Sequence, residues 1–173
     1  RTTLRTPARE AEVRDHLSAG GAAPGDRLAF VTADLSADTG WARAADGCSY
    51  AIHPASPTPS GDPVREADWI EPAVEGNLRV LRAARAAGMK RVVLTSAFGA
   101  IGVGHRPRTR PFDETDWSDL AGNVAPYQQS KTLSERAAWD FIAREGGALE
   151  LAAVNPVAVL GPALGRDHSH SIA

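Results

Sequence analysis

Ala125-Pro-Tyr-Gln-Gln-Ser-Lys-Thr-Leu-Ser-Glu-Arg136 is the segment from which the architecture of this chain can be worked out. It holds one of the only two tyrosines and one of the only two lysines in 173 residues. Tyr127 and Lys131, four residues apart, lie on one face of a helix. We expect the ammonium to lower the tyrosine pKa from about 10 and to suit the phenol to proton exchange with an oxygen that undergoes hydride transfer. The alternative is an ordinary amphipathic helix with a half-exposed tyrosine and a solvated lysine.

Strands are predicted on both sides of this helix. Upstream, residues 91–95 read as a short buried strand, and downstream a second strand begins at Leu149 and runs into a loop at Pro156. The order strand, helix, strand predicts a βαβ crossover in a parallel sheet. Ligands of such sheets bind outside the carboxyl ends of the strands, which is where Thr95, Ser96 and Pro156 lie.

The rest of the chain continues this alternation. A long helix over residues 66–87 ends at Gly88, and the helix of Tyr127 continues to about residue 144. We expect Ile70, Val74, Leu78 and Leu81 to form the inward stripe of the first helix, and Leu133, Ala137, Phe141 and Ile142 that of the second. The other predicted elements are strands at 1–5, 28–32 and 50–53, helices at 8–18 and 38–45, and a loop at 54–63.

Composition and charge restrict the class of protein. A chain of 173 residues with 43% hydrophobic and 23% charged residues fits one globular domain. The formal net charge of −2 gives no electrostatic reason to bind nucleic acid or an anionic membrane, and the basic residues at 105–111 read as a proline-punctuated surface loop. Cys48 is the only cysteine, which excludes an intrachain disulfide and fits a reducing compartment. We predict a cytoplasmic protein without a signal peptide or a membrane span.

Seven short stretches carry a family resemblance through their order and spacing: Arg1-Thr-Thr-Leu-Arg5, Ala33-Asp-Leu35, His53-Pro-Ala-Ser-Pro57, Pro72-Ala-Val-Glu-Gly-Asn77, Val92-Val-Leu-Thr-Ser96, Tyr127-Gln-Gln-Ser-Lys-Thr-Leu-Ser-Glu135 and Asn155-Pro-Val-Ala-Val-Leu-Gly-Pro162. Together they resemble the extended short-chain dehydrogenase/reductase superfamily. Within it they are most similar to the NADP-dependent dihydroflavonol reductase, cinnamoyl-CoA reductase and aldehyde reductase group of the NAD-dependent epimerase/dehydratase family. The resemblance implies an α/β fold, a Rossmann-like doubly wound parallel sheet, and NADP-dependent reduction of an aldehyde or ketone to an alcohol.

The resemblance also implies catalytic roles. Tyr127 is the general acid that protonates the carbonyl oxygen, Lys131 holds the nicotinamide ribose, and Ser96 is the third candidate catalytic residue. In the family, the substrate oxygen is usually held by the second serine of a Thr-Ser-Ser triplet, and that position is Ala97 here. If the strand pleat persists, Ser96 points to the opposite face and cannot simply replace the missing hydroxyl. Loss of one such donor typically costs roughly 10²–10³ in rate, so we expect a slow reductase or a different substrate geometry.

For the cofactor, the resemblance implies NADP. Arg5 occupies the position where a guanidinium meets the adenosine 2′-phosphate, the alternative being a solvated surface arginine. Asp34 and Leu35 are expected to flank the adenine, although Asp34 could instead cap a helix. The remaining cofactor contacts implied are Ala55 and Ser56 along the nucleotide, and Pro156 and Val159 beside the nicotinamide amide; all four could equally be loop packing.

Compared with the family, parts of the domain are missing, so residues 1–173 are expected to form a partial NAD(P)-binding Rossmann-like domain. The first strand and its glycine-rich turn would precede Arg1, with the strand placed between those at 1–5 and 50–53, and most of the substrate domain would follow. Gly99-Ala-Ile-Gly-Val-Gly104 is followed by prolines that prevent a helix from starting, so we interpret it as a substrate-side loop. His168 and His170 lack a third ligand, and no metal site is predicted.

Two other functions stay open. A dinucleotide-binding regulator without catalysis is favoured by Ala97 and by the missing glycine-rich turn, but the Tyr127–Lys131 pair opposes it. A nucleotide-sugar epimerase or dehydratase shares the fold and the pair, whereas residues 1–5 and the Thr-Leu-Ser-Glu after Lys131 favour the reductase group. The partners expected are a small-molecule carbonyl substrate and, in a homodimer, a second copy of the chain.

Overall fold

The computed structural model describes residues 1–57, 65–162 and 164 of the chain. Strands and helices alternate along it: β1 (Thr2–Leu4), α1 (Glu10–Ala19), β2 (Phe30–Thr32), α2 (Trp41–Ala45), β3 (Tyr50–His53), α3 (Ala67–Ala86), β4 (Arg91–Thr95), α4 (Pro126–Glu145) and β5 (Glu150–Val154). Every predicted strand and helix is present, although β2 and α2 begin two and three residues later than predicted. Part of the predicted loop at 54–63 lies outside the described residues. His168 and His170 also lie outside them.

The five strands form two sheets, and every pairing within each sheet is parallel. β1 pairs with β2, and β4 lies between β3 and β5, with Val92 opposite both Ala51 and Leu151. Parallel neighbours need crossover connections, which α1, α3 and α4 supply between successive paired strands. The predicted α/β parallel architecture is therefore confirmed. The carboxyl ends of β3, β4 and β5 lie at one edge, which is where a ligand of such a sheet binds.

Helices α3 and α4 pack beside each other and against one face of the β3–β4–β5 sheet. Val92 and Leu94 of β4 are buried with Leu81 of α3 and Phe141 of α4 in one apolar core. The other face of this sheet is open, since Ile52 is 78% exposed. β4 was expected to be buried as a whole, but its residues alternate in burial because only one face carries helices.

The buried face of α4 is more polar than its sequence predicts. Phe141 is buried as expected, but Leu133, Ala137 and Ile142 are only partly buried. Polar residues take the inward positions instead, because the N-terminal half of α4 faces the ends of the strands and not the apolar core. The buried residues of this helix are Ser130, Lys131, Thr132, Ser134, Glu135, Ala138 and Phe141.

The buried face of α3 also differs from the prediction. Leu81 is buried as expected, whereas Ile70, Val74 and Leu78 are half-buried. Small residues face the neighbouring segments, and a Cβ atom at Gly76 would lie 3.1 Å from the Cβ atom of Leu35. Close approach therefore decides which side of α3 is inward. Its buried residues are Ala73, Gly76, Asn77, Val80, Leu81 and Ala84.

A groove of about 600 Å³ separates the two sheets. Thr2 and Thr3 of β1 line one side, and residues Tyr50–His53 of β3 line the other. Within the part of the chain that the structure describes, β1 pairs only with β2 and β3 only with β4. Each therefore presents an unpaired strand edge to the groove.

No helix among the described residues is long and apolar enough to cross a membrane. No group of three or more His, Cys, Asp or Glu side chains in the same residues is arranged to hold a metal ion.

Candidate functional site

The N-terminal end of α4 carries Tyr127 and Lys131. Ala125 is extended, and Pro126, whose ring imposes a helical φ, opens the first turn. The spacing of four residues places the Lys131 Nζ atom 5.7 Å from the centroid of the Tyr127 ring. Tyr127 is 43% exposed and Lys131 only 7%. The structure thus brings the predicted pair together, with the phenol accessible and the ammonium buried beside it.

The pKa values of this pair differ from the sequence expectation. Burial raises the pKa of Tyr127 above its usual value and lowers the pKa of Lys131. The prediction that Lys131 lowers the tyrosine pKa is wrong for this structure, because the ammonium lies over the ring and desolvation of the phenolate dominates. The phenol is therefore kept protonated, which is the form that a proton donor needs.

Trp69, near the start of α3, packs against Tyr127. Their ring centroids are 6.2 Å apart and the rings meet edge to face, at 79°. Nearby, the Gln129 side chain donates to the Glu66 carboxylate and to the Val124 carbonyl oxygen. These contacts join the beginnings of α3 and α4 and fix the side from which the phenol is accessible. Trp69 is not predicted from the sequence, since an aromatic residue in an amphipathic helix gives no sign of its partner.

The ends of β4 and β5 meet beside α4. The Ser96 N–H donates to the Val154 carbonyl oxygen at 2.8 Å, and the Phe98 N–H donates to the Pro156 carbonyl oxygen at 2.9 Å. These bonds continue the β4–β5 pairing past the last strand residues. The predicted meeting of Ser96 and Pro156 at one sheet edge is therefore observed.

Ser96 and Ala97 point to opposite sides. Ala97 is extended, with φ −159° and ψ 157°, so the strand pleat continues through it. Ser96 shares the buried side of Leu94, and its hydroxyl oxygen is buried with no hydrogen-bond partner among the residues that the structure describes. Ala97 shares the side of Thr95, where no second hydroxyl is available. A catalytic role for Ser96 stays a prediction.

Glu135, one turn beyond Lys131, connects α4 to these strand ends. The Asn155 side-chain nitrogen donates to a Glu135 carboxylate oxygen at 2.7 Å and to the Ala97 carbonyl oxygen at 3.1 Å. The Trp139 indole N–H donates to the other Glu135 oxygen at 3.3 Å. The sequence stretches that contain Glu135 and Asn155 are part of the family resemblance, but their contact is visible only in the structure.

His53, at the end of β3, forms a second polar contact beneath α4. Its Nε2 atom lies 3.1 Å from the Asn77 side-chain oxygen, and the Asn77 nitrogen donates to the Ser134 carbonyl oxygen at 3.4 Å. The amide orientation leaves the oxygen for histidine, so Nε2 carries the proton. Burial lowers the pKa of His53 to about 4, and the Lys131 charge contributes in the same direction. His53 is therefore neutral at physiological pH.

A cavity of about 480 Å³ lies at the ends of β1, β2 and β3. Its lining includes two arginines, Arg5 and Arg9, two acidic residues, Asp34 and Asp68, and several small residues. The Asp34 carboxylate accepts hydrogen bonds from the Ser36 N–H and hydroxyl, which lower its pKa. Five of the predicted cofactor residues line this cavity: Arg5, Asp34, Leu35, Ala55 and Ser56.

A model of the NAD-dependent epimerase/dehydratase family matches residues 2–173. The chain belongs to this family. It is 35% identical over 173 residues to a dihydroflavonol 4-reductase of Hordeum vulgare, a match that covers 95% of this chain and 47% of the relative. It is 40% identical over 143 residues to cinnamoyl-CoA reductase 1 of Arabidopsis thaliana, covering 80% of this chain and 40% of that one.

The fold agrees with this family assignment. The structure of yeast methylglyoxal/isovaleraldehyde reductase Gre2 complexed with NADPH matches with a TM-score of 0.72 and 26% identity, over 92% of this chain and 51% of that one. The Rossmann-like fold expected from the sequence is thus confirmed. This member of the family spans about half the length of the curated relatives it matches.

The cofactor residues predicted in this family member are not all in one place. Pro156 lies at the strand ends beside Phe98, and Val159 is 76% exposed and lines neither the cavity nor the groove. Arg9, which was not predicted, lines the cavity together with Arg5. Its position four residues after Arg5, across the turn at Pro7–Arg9, is a signal that could have indicated it.

Proposed function

We propose that the protein is an NADP-dependent oxidoreductase that reduces an aldehyde or ketone to an alcohol, with Tyr127 as the general acid. The observation that carries this proposal is the accessible, protonated phenol beside a buried lysine at the carboxyl edge of a parallel sheet. The three similar proteins described above are named as reductases, and the name of one of them includes an aldehyde.

The chemistry assigned to the chain is the proton transfer. The reduced nicotinamide supplies the hydride when it is bound. As the carbonyl carbon receives that hydride, the Tyr127 hydroxyl gives its proton to the carbonyl oxygen, the O–H bond of the phenol breaks, and the phenolate is left. The Lys131 Nζ atom lies 5.7 Å from the centroid of that ring, which places its ammonium beside the group that changes charge. Because burial raises the Tyr127 pKa, the phenol carries its proton before the reaction begins.

The cavity at the ends of β1–β3 fits the adenosine half of NADP. The Arg5 charge adds to the Ser36 hydrogen bonds in lowering the pKa of Asp34, but among the described residues no carboxylate oxygen lies within 4.0 Å of the Arg5 guanidinium. Arg5 would bind the 2′-phosphate, with Arg9 beside it. Asp34 and Leu35 would flank the adenine. The remaining proposed contacts follow the sequence prediction: Ala55 and Ser56 along the nucleotide, Lys131 at the nicotinamide ribose, and Pro156 and Val159 at the nicotinamide amide.

We also propose that a further strand, from outside residues 1–173, fills the groove between β1 and β3. Among the described residues both facing edges are unpaired, and each of the two strands already has one parallel neighbour. One inserted strand would merge the two sheets into one. In a longer form of the protein, the backbone amides of β1 and β3 should exchange hydrogen more slowly than in the 173-residue chain. Amides of β4, paired on both sides in either form, serve as the control. Equal exchange in both forms would refute the inserted strand.

Ala97 favours a second candidate, a dinucleotide-binding regulator without catalysis, because the hydroxyl expected to hold the substrate oxygen is absent there. Tyr127→Phe separates the two functions. It removes the proton donor and keeps the ring, so turnover of a carbonyl substrate should fall by at least about 100-fold while NADPH affinity is retained.

Tyr50→Phe removes the same hydroxyl from the second tyrosine of residues 1–173, which lies on β3 away from α4, and is the matched control that should leave turnover unchanged. If Tyr127→Phe leaves turnover of the full-length protein untouched, the proposed mechanism is wrong. If the wild type binds NADPH but reduces no aldehyde or ketone of a broad panel, the result favours a dinucleotide-binding regulator over a reductase.

A further inference from the structure

Glu135 is a buried carboxylate without a cationic partner. It is 4% exposed, and among the described residues no Lys, Arg or His nitrogen lies within 4.0 Å of its oxygens. Its hydrogen-bond donors are both neutral: Asn155 at 2.7 Å and Trp139 at 3.3 Å. Burying a carboxylate costs free energy of folding unless it is well paired. An apolar residue at position 135 would therefore stabilise the fold more than Glu135 does.

The orientation of the Asn155 amide is fixed by its two partners. The Glu135 carboxylate and the Ala97 carbonyl oxygen both accept hydrogen bonds, so the amide nitrogen and not its oxygen must face them. Each of its two N–H groups is thereby used. The result is a bridge from α4, through the residue after β5, to the main chain at the end of β4.

Glu135 also lies in the same helical row as the proposed acid. It follows Lys131 by four residues and Tyr127 by eight, so the three side chains project from one side of α4. Anchoring Glu135 sets both the rotation of α4 and its height along the helix axis relative to Ala97. That main-chain segment borders the place where, under the proposed function, the substrate carbonyl would sit.

We propose that Glu135 and Asn155 are positioning residues for the proposed reduction: they hold the Tyr127 face of α4 at a fixed distance from the end of β4. This inference rests on the proposed function. A carboxylate suits the task because both of its oxygens accept, one from Asn155 and one from Trp139. Glutamine would turn an N–H₂ group toward one of these donors and lose that hydrogen bond.

Glu135→Gln is therefore the informative change, since it keeps the shape of the side chain. Displacement of the reacting groups by about 1 Å can cost about 100-fold in rate. In the full-length protein we expect kcat for a carbonyl substrate to fall by roughly 10- to 100-fold, while the KM for NADPH changes by less than about threefold. Glu145→Gln, on an exposed glutamate at the end of the same helix, is the matched control and should behave as the wild type.

The coupling to Tyr127 distinguishes positioning from a general loss of structure. In a Tyr127→Phe background there is no acid left to position, so Glu135→Gln should lower the residual rate little further. If the Glu135→Gln variant does not fold, the same comparison of the two backgrounds can be made with Asn155→Ser. An equal loss in both backgrounds, or an unchanged kcat in the single variant, overturns the positioning role. Tyr127→Phe alone tests the proposed function. If this change has no effect on turnover, both the proposed acid role of Tyr127 and the positioning role of Glu135 are refuted.

Discussion

Replacing Arg5 by alanine is the sharpest test of the proposed cofactor. Arg5 is exposed and lines the cavity at the ends of β1–β3, and no ion pair to a described residue would be lost with it. The protein should therefore stay folded, and the effect should appear in binding. NADPH carries the 2′-phosphate that Arg5 would hold, whereas NADH lacks it.

The size of the effect follows from the contacts. A hydrogen bond to a charged group contributes about 1.5–3 kcal/mol, which corresponds to about 10- to 150-fold in affinity. Arg9 lines the same cavity but shares its guanidinium with Glu12, at 2.8 Å from its Nε atom. Arg9→Ala should therefore cost less than Arg5→Ala, because part of its hydrogen bonding is already used.

Fluorescence titration of NADPH and NADH against the full-length variants makes the measurement. Arg5→Ala should weaken NADPH within the range above and leave NADH within about twofold, since the lost bonds go to the phosphate alone. Arg27→Ala removes the same charge from an exposed position that does not line the cavity and controls for long-range electrostatics. Equal losses for both cofactors would mean that Arg5 is structural, and no loss for either would refute the phosphate site.

Two more outcomes can be checked. Ala97→Ser restores a hydroxyl on the side of Thr95 and should raise kcat by up to roughly 10²–10³, a gain that should vanish in a Tyr127→Phe background; an unchanged kcat in steady-state assays would show that this side does not face the substrate oxygen. The pKa of His53 is about 4 when folded and 6.5 as a free side chain, so the unfolded chain binds the additional proton. The stability this provides is complete above about pH 6.5 and decreases by up to about 3 kcal/mol as the pH falls to about 4. Urea unfolding from pH 4 to 7 should show a steeper pH dependence for the wild type than for His53→Gln, and parallel curves would contradict the burial of a neutral histidine.

Local spacing was enough to predict the order of the elements and the proximity of Tyr127 and Lys131. Tyr127 and Lys131 are joined by one helical turn, so their proximity follows from the covalent chain once α4 forms. The parallel architecture follows similarly, because strands that alternate with helices of this length can pair only through crossovers. The family resemblance assigned Arg5, Asp34 and Ser56 to contacts with one cofactor, and in the structure all three line one cavity.

Contacts between distant segments could not be obtained in that way. Glu135 and Asn155 are 20 residues apart, and Glu135 resembles any solvent-facing glutamate of an amphipathic helix until β5 is packed beside α4. The direction of the Tyr127 pKa shift could not be predicted from spacing either. The lysine charge alone would lower this pKa, but in the packed molecule burial raises it, with the Lys131 ammonium over the ring. Helical periodicity shows that a helix has two sides. Which side is buried depends on how close its neighbours come, and that distance is a property of the packed molecule.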